Sequence, residues 1–258
     1  MAIDYATATL LHTALTGTGD ALLALLQNSA LEVVQAALKN PALSESHLLA
    51  LLQRRDLSEE IIKSICRTAI TESSHRIKVA VAGHPATPAH QLAVLLPQLY
   101  LFELLQICYL PQVSPDQKLA AERAIIQRLP VTPLGNRLTL ARRATPGILE
   151  ALLKDGDAHL LEICLANPQL KEGAVFQLLR SGRTSAETIS LVARQPRWQS
   201  RPNIREAILT NPKTPLVWFH LWLPAMKTPE IKRLITSNRL SGAQKKAVEE
   251  RLKSRSSG

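Results

Sequence analysis

The side chains best suited to bind an anion form two basic groups in the second half of the 258-residue chain. From them we define a candidate binding patch, which comprises Arg194, Arg197, Trp198, Arg201, Arg205, Lys232, Arg233, Lys245 and Lys246. Arginines beside an aromatic ring can hold phosphates while the ring stacks on a base. The alternative, which the sequence favours, is that these charges form a solvated surface and that Trp198 fills a gap between helices. The first half of the chain carries other residues at most of the corresponding positions, which lie 127 residues earlier. Any function of the patch therefore belongs to the second half.

Other reactive side chains are scattered. His84 and His90 lie six residues apart across two prolines, and no carboxylate or cysteine completes a metal set with them. The three cysteines contain no CxxC pair, so we expect buried, reduced thiols. No nucleophile elbow, zinc-protease motif or phosphate-binding glycine loop occurs. The sequence therefore predicts no metal, no cofactor and no catalytic residues.

The elements that must position these side chains belong to a tandem duplication. A shift of 127 residues aligns the chain with itself without a gap. Asn40-Pro41 falls on Asn167-Pro168, and Thr87-Pro88 falls on Thr214-Pro215. Between residues 20 and 126, 29 of 107 aligned positions are identical. We therefore predict a first half at 1–127, a second half at 128–253 and a polar tail at 254–258, together forming one continuous domain.

Prolines divide each half further. They follow apolar helical segments at spacings of 44, 45, 38 and 44 residues, at Pro41, Pro85, Pro130, Pro168 and Pro212. Proline cannot continue a helix and disfavours helical geometry in the residue before it. The spacing predicts about three helical units of 38–45 residues in each half, and about six in the chain.

Local patterns agree with short helices. Ser44 and Ser58 are expected N-caps, the second followed by two acids that suit the positive end of a helix dipole. The stretches 76–82 and 203–209 are rich in apolar residues and predict inner helices packed on both sides. Trp218 and Trp222 lie four residues apart, as expected for core packing along a helix, although a ligand-stacking pair is an alternative. Leucine and alanine dominate, and no alternating strand pattern appears, so the sequence predicts an all-α protein.

These features resemble the HEAT/armadillo class of helical repeats. The resemblance is carried by Ile77-Lys78-Val79-Ala80-Val81-Ala82 and by the corresponding stretch from Ile204 to Leu209, which look like second HEAT helices. The Asn/His-Pro-x-x-Pro runs at His84 and Asn211 also look like bacterial HEAT-like and leucine-rich-repeat-variant proteins. The resemblance implies an α-solenoid with a concave binding face and implies no particular partner. Some alkyl-base DNA glycosylases are HEAT-like solenoids, but no residue-by-residue match to them can be placed.

Charge separates the two halves. Residues 1–127 carry 9 basic and 11 acidic side chains, whereas residues 128–258 carry 22 and 10, so the net charges are −2 and +12. The start of the chain has an acid at Asp4 and no long apolar core, which predicts no secretory signal and a cytoplasmic protein. We expect a non-catalytic scaffold for a protein or peptide partner, acidic where it meets the second half. The alternative is a nucleic-acid-binding protein that uses the basic half. The oligomeric state is left open.

Overall fold

The chain is all-helical in the computed structural model, which describes residues 5–182, 184–237 and 239–256. These residues form twenty α-helices and three single-turn 3-10 helices, and none of them belongs to a strand. The all-α prediction is therefore confirmed. None of the helices in the described ranges has both the length and the apolar composition needed to cross a bilayer.

The chain divides into two compact units, Met1–Arg128 and Leu129–Gly258. The helices of the first unit are α1 (Tyr5–Thr16), α2 (Gly19–Leu26), α3 (Leu31–Ala37), α4 (Glu45–Leu51), α5 (Glu59–Cys66), α6 (Ala69–Ser73), α7 (His75–Ala82), α8 (Ala89–Leu95), α9 (Leu101–Tyr109) and α10 (Pro115–Arg128), with a 3-10 turn at Leu96–Gln98.

The second unit opens with a 3-10 turn at Leu129–Val131. Its helices are α11 (Leu134–Arg143), α12 (Pro146–Leu152), α13 (Ala158–Ala166), α14 (Glu172–Arg180), α15 (Ala186–Arg194), α16 (Pro196–Gln199), α17 (Pro202–Leu209), α18 (Leu216–Trp222), α19 (Thr228–Ile235) and α20 (Gly242–Ser256), with a 3-10 turn at Leu223–Ala225. Residues 254–256, expected in a polar tail, continue α20, and 257–258 lie outside the described residues.

The sequence duplication is also a structural one. Each of the ten α-helices of the first unit has a counterpart in the second, and nine of these pairs begin 127 residues apart. The pairs α7 with α17 and α8 with α18 also end at equivalent residues. Buried core residues recur in the same way, since Ile62 and Ile189 are equivalent and both have no exposed surface. The two units are therefore two versions of one ten-helix arrangement.

Helices within the first unit pack against helices two or three elements along the chain. The helix α1 packs on α3, which packs on α5, and in parallel α2 packs on α4, which packs on α7. Packed partners begin 26 to 30 residues apart, as Tyr5 and Leu31 or Glu45 and His75 illustrate. The proline spacing of 38–45 residues is longer than this interval between packed helices. The reason is that proline follows α3 and α7 but not α1 or α5.

Four equivalent turns end the helices α3, α7, α13 and α17. Each begins with Asn or His followed by proline, at Asn40, His84, Asn167 and Asn211. The first side chain of every turn accepts the backbone N–H two residues later, at 2.7–3.2 Å. The same side chain donates to a backbone carbonyl 26 to 32 residues earlier. These bonds satisfy carbonyls that a helix C-terminus or the turn after it leaves unpaired, and so join neighbouring helices.

Glutamines extend this hydrogen bonding to the last helix of each unit. Gln117, at the start of α10, donates to the carbonyls of His84 and Thr87. Gln244, at the equivalent position of α20, donates to three carbonyls of the turn that begins at Asn211. Both glutamines are buried, and each also accepts the N–H of a serine three residues earlier. The turns are therefore held rigidly between successive helices.

The predicted helix caps are present, and the two tryptophans of α18 are buried as core packing predicts. Ser44 takes part in a capping box with His47, and Ser58 accepts the N–H of Ile61. Trp218 and Trp222 are buried, with ring centroids 5.3 Å apart.

The helices α7 and α17 differ from the prediction that they pack on both sides. Each buries one face and lines an open groove with the other.

Candidate functional site

Both units contain a groove at the same position. In the second unit, α14, α17 and the segment between α19 and α20 line a groove of about 950 Å³. In the first unit, the ends of α4 and α7, together with α9 and the segment after it, line a smaller one of about 450 Å³. Eleven lining positions coincide when the 127-residue shift is applied. We call these the second-unit groove and the first-unit groove.

The walls of the second-unit groove are two parallel helices. At their N-terminal ends, the Asn203 amide donates to the Glu172 carboxylate at 3.3 Å. At their C-terminal ends, the Asn211 amide donates to the Leu179 carbonyl at 2.6 Å. Because contacts join like ends, α14 and α17 run side by side in the same direction. The equivalent helices α4 and α7 are joined in the same way in the first unit, by Glu45 with Arg76 and by the carbonyl of Arg54 with His84.

The centre of the second-unit groove is apolar and open. Phe176 projects from α14 and is half-buried, while Ala207 of α17 and Leu179 are buried beneath it. Gly173 lies in the first turn of α14, and a Cβ added there would meet no atom within 4 Å. The groove can therefore admit an apolar side chain beside Phe176, with room above Gly173.

Three cations line this groove, and two of them lie at the C-terminal ends of its helical walls. Arg180 ends α14, Lys213 lies in the turn before α18, and Arg239 lies between α19 and α20. All three are exposed, and none of them forms an ion pair with a carboxylate of the described residues. The guanidinium of Arg180 lies 5.4 Å from the centroid of the Phe176 ring, a cation–π contact. The Lys213 amine donates to the carbonyl of Gly182 at 2.9 Å.

Two carboxylates line the remaining part of the groove. Glu172 is held by Asn203 and lies 3.9 Å from the guanidinium of Arg201. Glu206 is exposed on α17, one turn before Thr210. The second-unit groove therefore has Arg180 and Lys213 at one end, Phe176 and Glu206 near its middle and Glu172 at the other end.

The first-unit groove differs at each cationic position. Gln53, Ala86 and Gln112 are the counterparts of Arg180, Lys213 and Arg239. Its own cations are Arg55, which is exposed, and Arg54, which pairs with Asp56 and donates to the carbonyls of Leu26 and Asn28. The pKa of Asp56 is lowered, chiefly by its hydrogen bond from Arg54. The three groove cations are therefore specific to the second unit.

None of the nine residues of the candidate binding patch lines either groove. Trp198 is only 1% exposed, and its indole N–H donates to the carbonyl of Leu165 at 3.0 Å. Arg197 lies over the Trp198 ring at 4.5 Å and donates to the carbonyls of Asn167, Pro168 and Leu170. These two residues join α16 to the end of α13. Burial of Trp198 favours the gap-filling alternative for this side chain, and the binding role of the patch as a whole stays a prediction.

The other arginines of the patch have separate surroundings. Arg205 donates to the carbonyl of Gln199 at 2.9 Å and lies 5.9 Å from the Trp222 ring centroid. Arg201 faces Glu172, and Arg194 is exposed in the last turn of α15. The described contacts give Arg201 and Arg205 separate neighbours and do not gather these arginines round one cavity.

The C-terminal lysines and arginine of the patch lie on two helices. Lys232 and Arg233 are exposed on α19, whereas Lys246 is exposed and Lys245 half-buried on α20. Further along α20, Arg251 and Arg255 donate to the carbonyl of Pro224, as Arg128 does to the carbonyls of Leu96 and Leu99 in the first unit. Part of the basic excess thus serves to satisfy backbone carbonyls.

His84 is the one His or Cys side chain among the described residues that line the two grooves, and His75 pairs with Glu103, which lines the first-unit groove. Cys108 and Cys164 are buried, and burial raises the pKa of each to about 12, whereas Cys66 is half-buried with a raised pKa. Burial lowers the pKa of His84, whose ring is neutral in its two backbone hydrogen bonds. Among the described residues, no three His, Cys, Asp or Glu side chains are placed to hold a metal ion.

The groove residues were missed at the sequence level, although a signal for them exists. Each of the three cations replaces a neutral residue of the first half, but several other cations of the second half do so too, so comparison of the copies includes these three without singling them out. The comparisons with known proteins add no further assignment, since no protein-family model, curated protein or solved structure matches the chain.

Proposed function

We propose that the chain is a non-catalytic binding scaffold for a protein partner, and that an extended segment of this partner lies in the second-unit groove. The single observation that carries the proposal is the recurrence of one groove, between parallel helices, in both copies of a duplicated arrangement. In this proposal each unit is a stretch of HEAT/armadillo-like α-solenoid, in which successive helices present one continuous face. Free thiols at all three cysteines suit a cytoplasmic setting.

The dimensions of the second-unit groove suit a short extended peptide. The nine residues of α14 span about 13 Å, which is the length of about four residues of extended chain. The Phe176 ring offers the kind of aromatic anchor that dominates binding at protein interfaces. Since buried hydrogen bonds fix the turn at Asn211, little ordering cost is expected on binding.

The same contacts disfavour a nucleic-acid track along the candidate binding patch. Trp198 is buried and cannot stack on a base, and Arg197 already donates to three carbonyls. In the groove, Glu172 and Glu206 would repel a phosphate backbone. A peptide, which carries hydrogen-bond donors and charges of both signs, suits this lining better.

The proposal is tested by selecting peptides that bind the intact protein. A phage-displayed library of random peptides is panned on the full chain, and enriched peptides are labelled and measured by fluorescence anisotropy. The blocking variant is Gly173→Trp, because an added side chain at Gly173 enters the groove without a clash at Cβ. The matched control is Gly135→Trp, since Gly135 also lies in a first helical turn, is equally open and lies outside both grooves.

We expect enriched peptides to bind the Gly135→Trp variant like the wild type and to bind Gly173→Trp at least about tenfold more weakly, a loss of about 1.4 kcal/mol. Circular dichroism establishes that both variants are folded. Equal binding to the two variants would place the peptides elsewhere, and the absence of any enriched peptide would also contradict the proposal.

A further inference from the structure

Resting on the proposed function, we infer that the second-unit groove selects a protein segment with acidic side chains, whose carboxylates are held by Arg180, Lys213 and Arg239. These cations come from three separate elements and line one groove. Residues distant in sequence are brought to it because the fold places α14, α17 and the segment before α20 around the groove. Together the three cations create a local positive potential that favours the binding of a ligand carboxylate.

The three cations are available to a ligand. No ion pair within 4 Å joins them to a carboxylate of the described residues. The contact with Phe176 positions the Arg180 guanidinium and leaves its N–H donors unused by the ring. Lys213 uses one of its three donors on the Gly182 carbonyl and keeps two. A guanidinium can bind a carboxylate with two parallel hydrogen bonds, which favours Glu or Asp over neutral side chains.

The positions of Glu172 and Arg180 at opposite ends of α14 give the bound segment a direction. Glu172 lies about 12 Å from Arg180, since eight residues of helix separate them. An extended chain covers this distance in three to four residues. The preferred segment therefore carries a basic residue at one end, an apolar residue over Phe176 and acidic residues three to four positions away from the basic one.

The first unit supplies an internal comparison for this inference. Its groove is smaller and has Gln53, Ala86 and Gln112 where the second unit has the three cations. The acidic preference is therefore assigned to the second unit alone. This agrees with the placement of the positive charge of the chain, which lies in the second half.

The test compares two labelled peptides by fluorescence anisotropy on the full-length protein. The acidic probe is Ser-Lys-Leu-Ser-Glu-Glu-Phe-Ser, and the neutral probe has glutamine at both glutamate positions. The groove variant combines Arg180→Gln, Lys213→Gln and Arg239→Gln. The matched control removes the same charge at exposed positions outside both grooves, by Arg194→Gln, Lys232→Gln and Lys246→Gln.

We expect the wild type to bind the acidic probe at least tenfold more tightly than the neutral probe. The groove variant loses this difference, while the control variant keeps most of it, and circular dichroism shows both to be folded. Equal binding of the two probes, equal losses in the two variants, or no binding of the acidic probe at about 1 mM protein would each overturn the inference.

The Gly173→Trp variant separates this inference from the proposed function. If both probes bind equally and Gly173→Trp abolishes both, the acidic preference is overturned and the groove remains a peptide site. If neither responds to Gly173→Trp, both proposals are overturned. A labelled single-stranded DNA serves as the third probe, and tight DNA binding that is lost in the groove variant, with no peptide binding, would replace the acidic segment by a phosphate ligand.

Discussion

At the scale of single residues, His84 and Asn211 perform the same task with different chemistry. His84 accepts the Ala86 N–H at Nδ1 and donates from Nε2 to the Arg54 carbonyl at 2.7 Å. Asn211 makes the corresponding pair of bonds with its amide. The imidazole fits this site only when it is neutral, because a protonated ring has no acceptor for Ala86. Burial lowers its pKa accordingly.

We therefore predict that His84 makes folding of the first unit dependent on pH. Since the pKa of His84 is lower in the folded chain, the unfolded chain takes up a proton first as the pH falls. The contribution of His84 to stability is thus complete above pH 6.5, the ordinary histidine pKa, and is lost below it. We expect the urea midpoint to fall less between pH 7 and pH 5 in His84→Asn than in the wild type. The largest possible difference is the loss of stability caused by uptake of one proton on unfolding.

Asn211→His is the reciprocal control for this prediction. It places an imidazole at the equivalent turn of the second unit. We expect the stability of the second unit then to fall as the pH falls, as His84 makes it fall in the first unit. An unchanged pH profile in His84→Asn would show that the ring is not held as a neutral acceptor and donor.

The cysteines give a second prediction at this scale. Burial raises the pKa of Cys108 and Cys164 to about 12, so almost no thiolate forms at neutral pH, and the half-buried Cys66 is the most accessible thiol. In native protein we expect one thiol to react with a disulfide reagent at least about tenfold faster than the other two. The fast phase should disappear in Cys66→Ser, and three equal rates would contradict the assignment.

At the scale of elements, the Asn-Pro turn couples the end of one helix to its packed neighbour. The Asn167 amide donates to the Ala141 carbonyl at 2.7 Å and accepts the Gln169 N–H at 2.8 Å. Asn167→Ala leaves the Ala141 carbonyl buried without its bond and removes the bond to the Gln169 N–H, which costs about 1–3 kcal/mol. We expect a correspondingly lower urea midpoint, measured by tryptophan fluorescence.

Asn167→Asp distinguishes the two bonds of that turn. Aspartate keeps an acceptor for the Gln169 N–H but offers no donor to Ala141. If the bond between helices matters more, we expect Asn167→Asp to lower the stability of the second unit at least as much as Asn167→Ala does. Recovery of wild-type stability in Asn167→Asp would instead assign the main role to the local turn.

These elements show what sequence reasoning could reach. The duplication, the turns at Asn40 and Asn167 and the cap at Ser58 follow from local residue types, and the structure contains them. The bonds that each turn makes 26 to 32 residues back depend on how helices pack, which local pattern does not encode. Packed helices begin 26 to 30 residues apart, whereas the prolines lie 38–45 residues apart, since only some turns carry proline.

At the scale of the whole molecule, the charge pattern of the sequence and the groove of the fold point to different residues of the second half. Sequence proximity gathered Arg197 and Trp198 into one patch, but Trp198 fills the core and Arg197 caps the turn after α13. Arg180, Lys213 and Arg239 are spread over sixty residues and line one groove only in the fold. In a duplicated chain, positions where the copies differ in charge mark where they have diverged.

The two units also permit a prediction about cooperativity, since all three tryptophans lie in the second unit. Fluorescence therefore reports unfolding of the second unit, whereas circular dichroism reports both. Ile62 and Ile189 are equivalent and fully buried, and replacing either by alanine costs about 2–5 kcal/mol. Because each unit has its own core, we expect Ile189→Ala to lower the fluorescence midpoint in urea. Ile62→Ala should lower only the midpoint of the dichroism change. If Ile62→Ala moved the fluorescence midpoint equally, the units would unfold as one cooperative body, and binding in the second-unit groove would then stabilise the first unit as well.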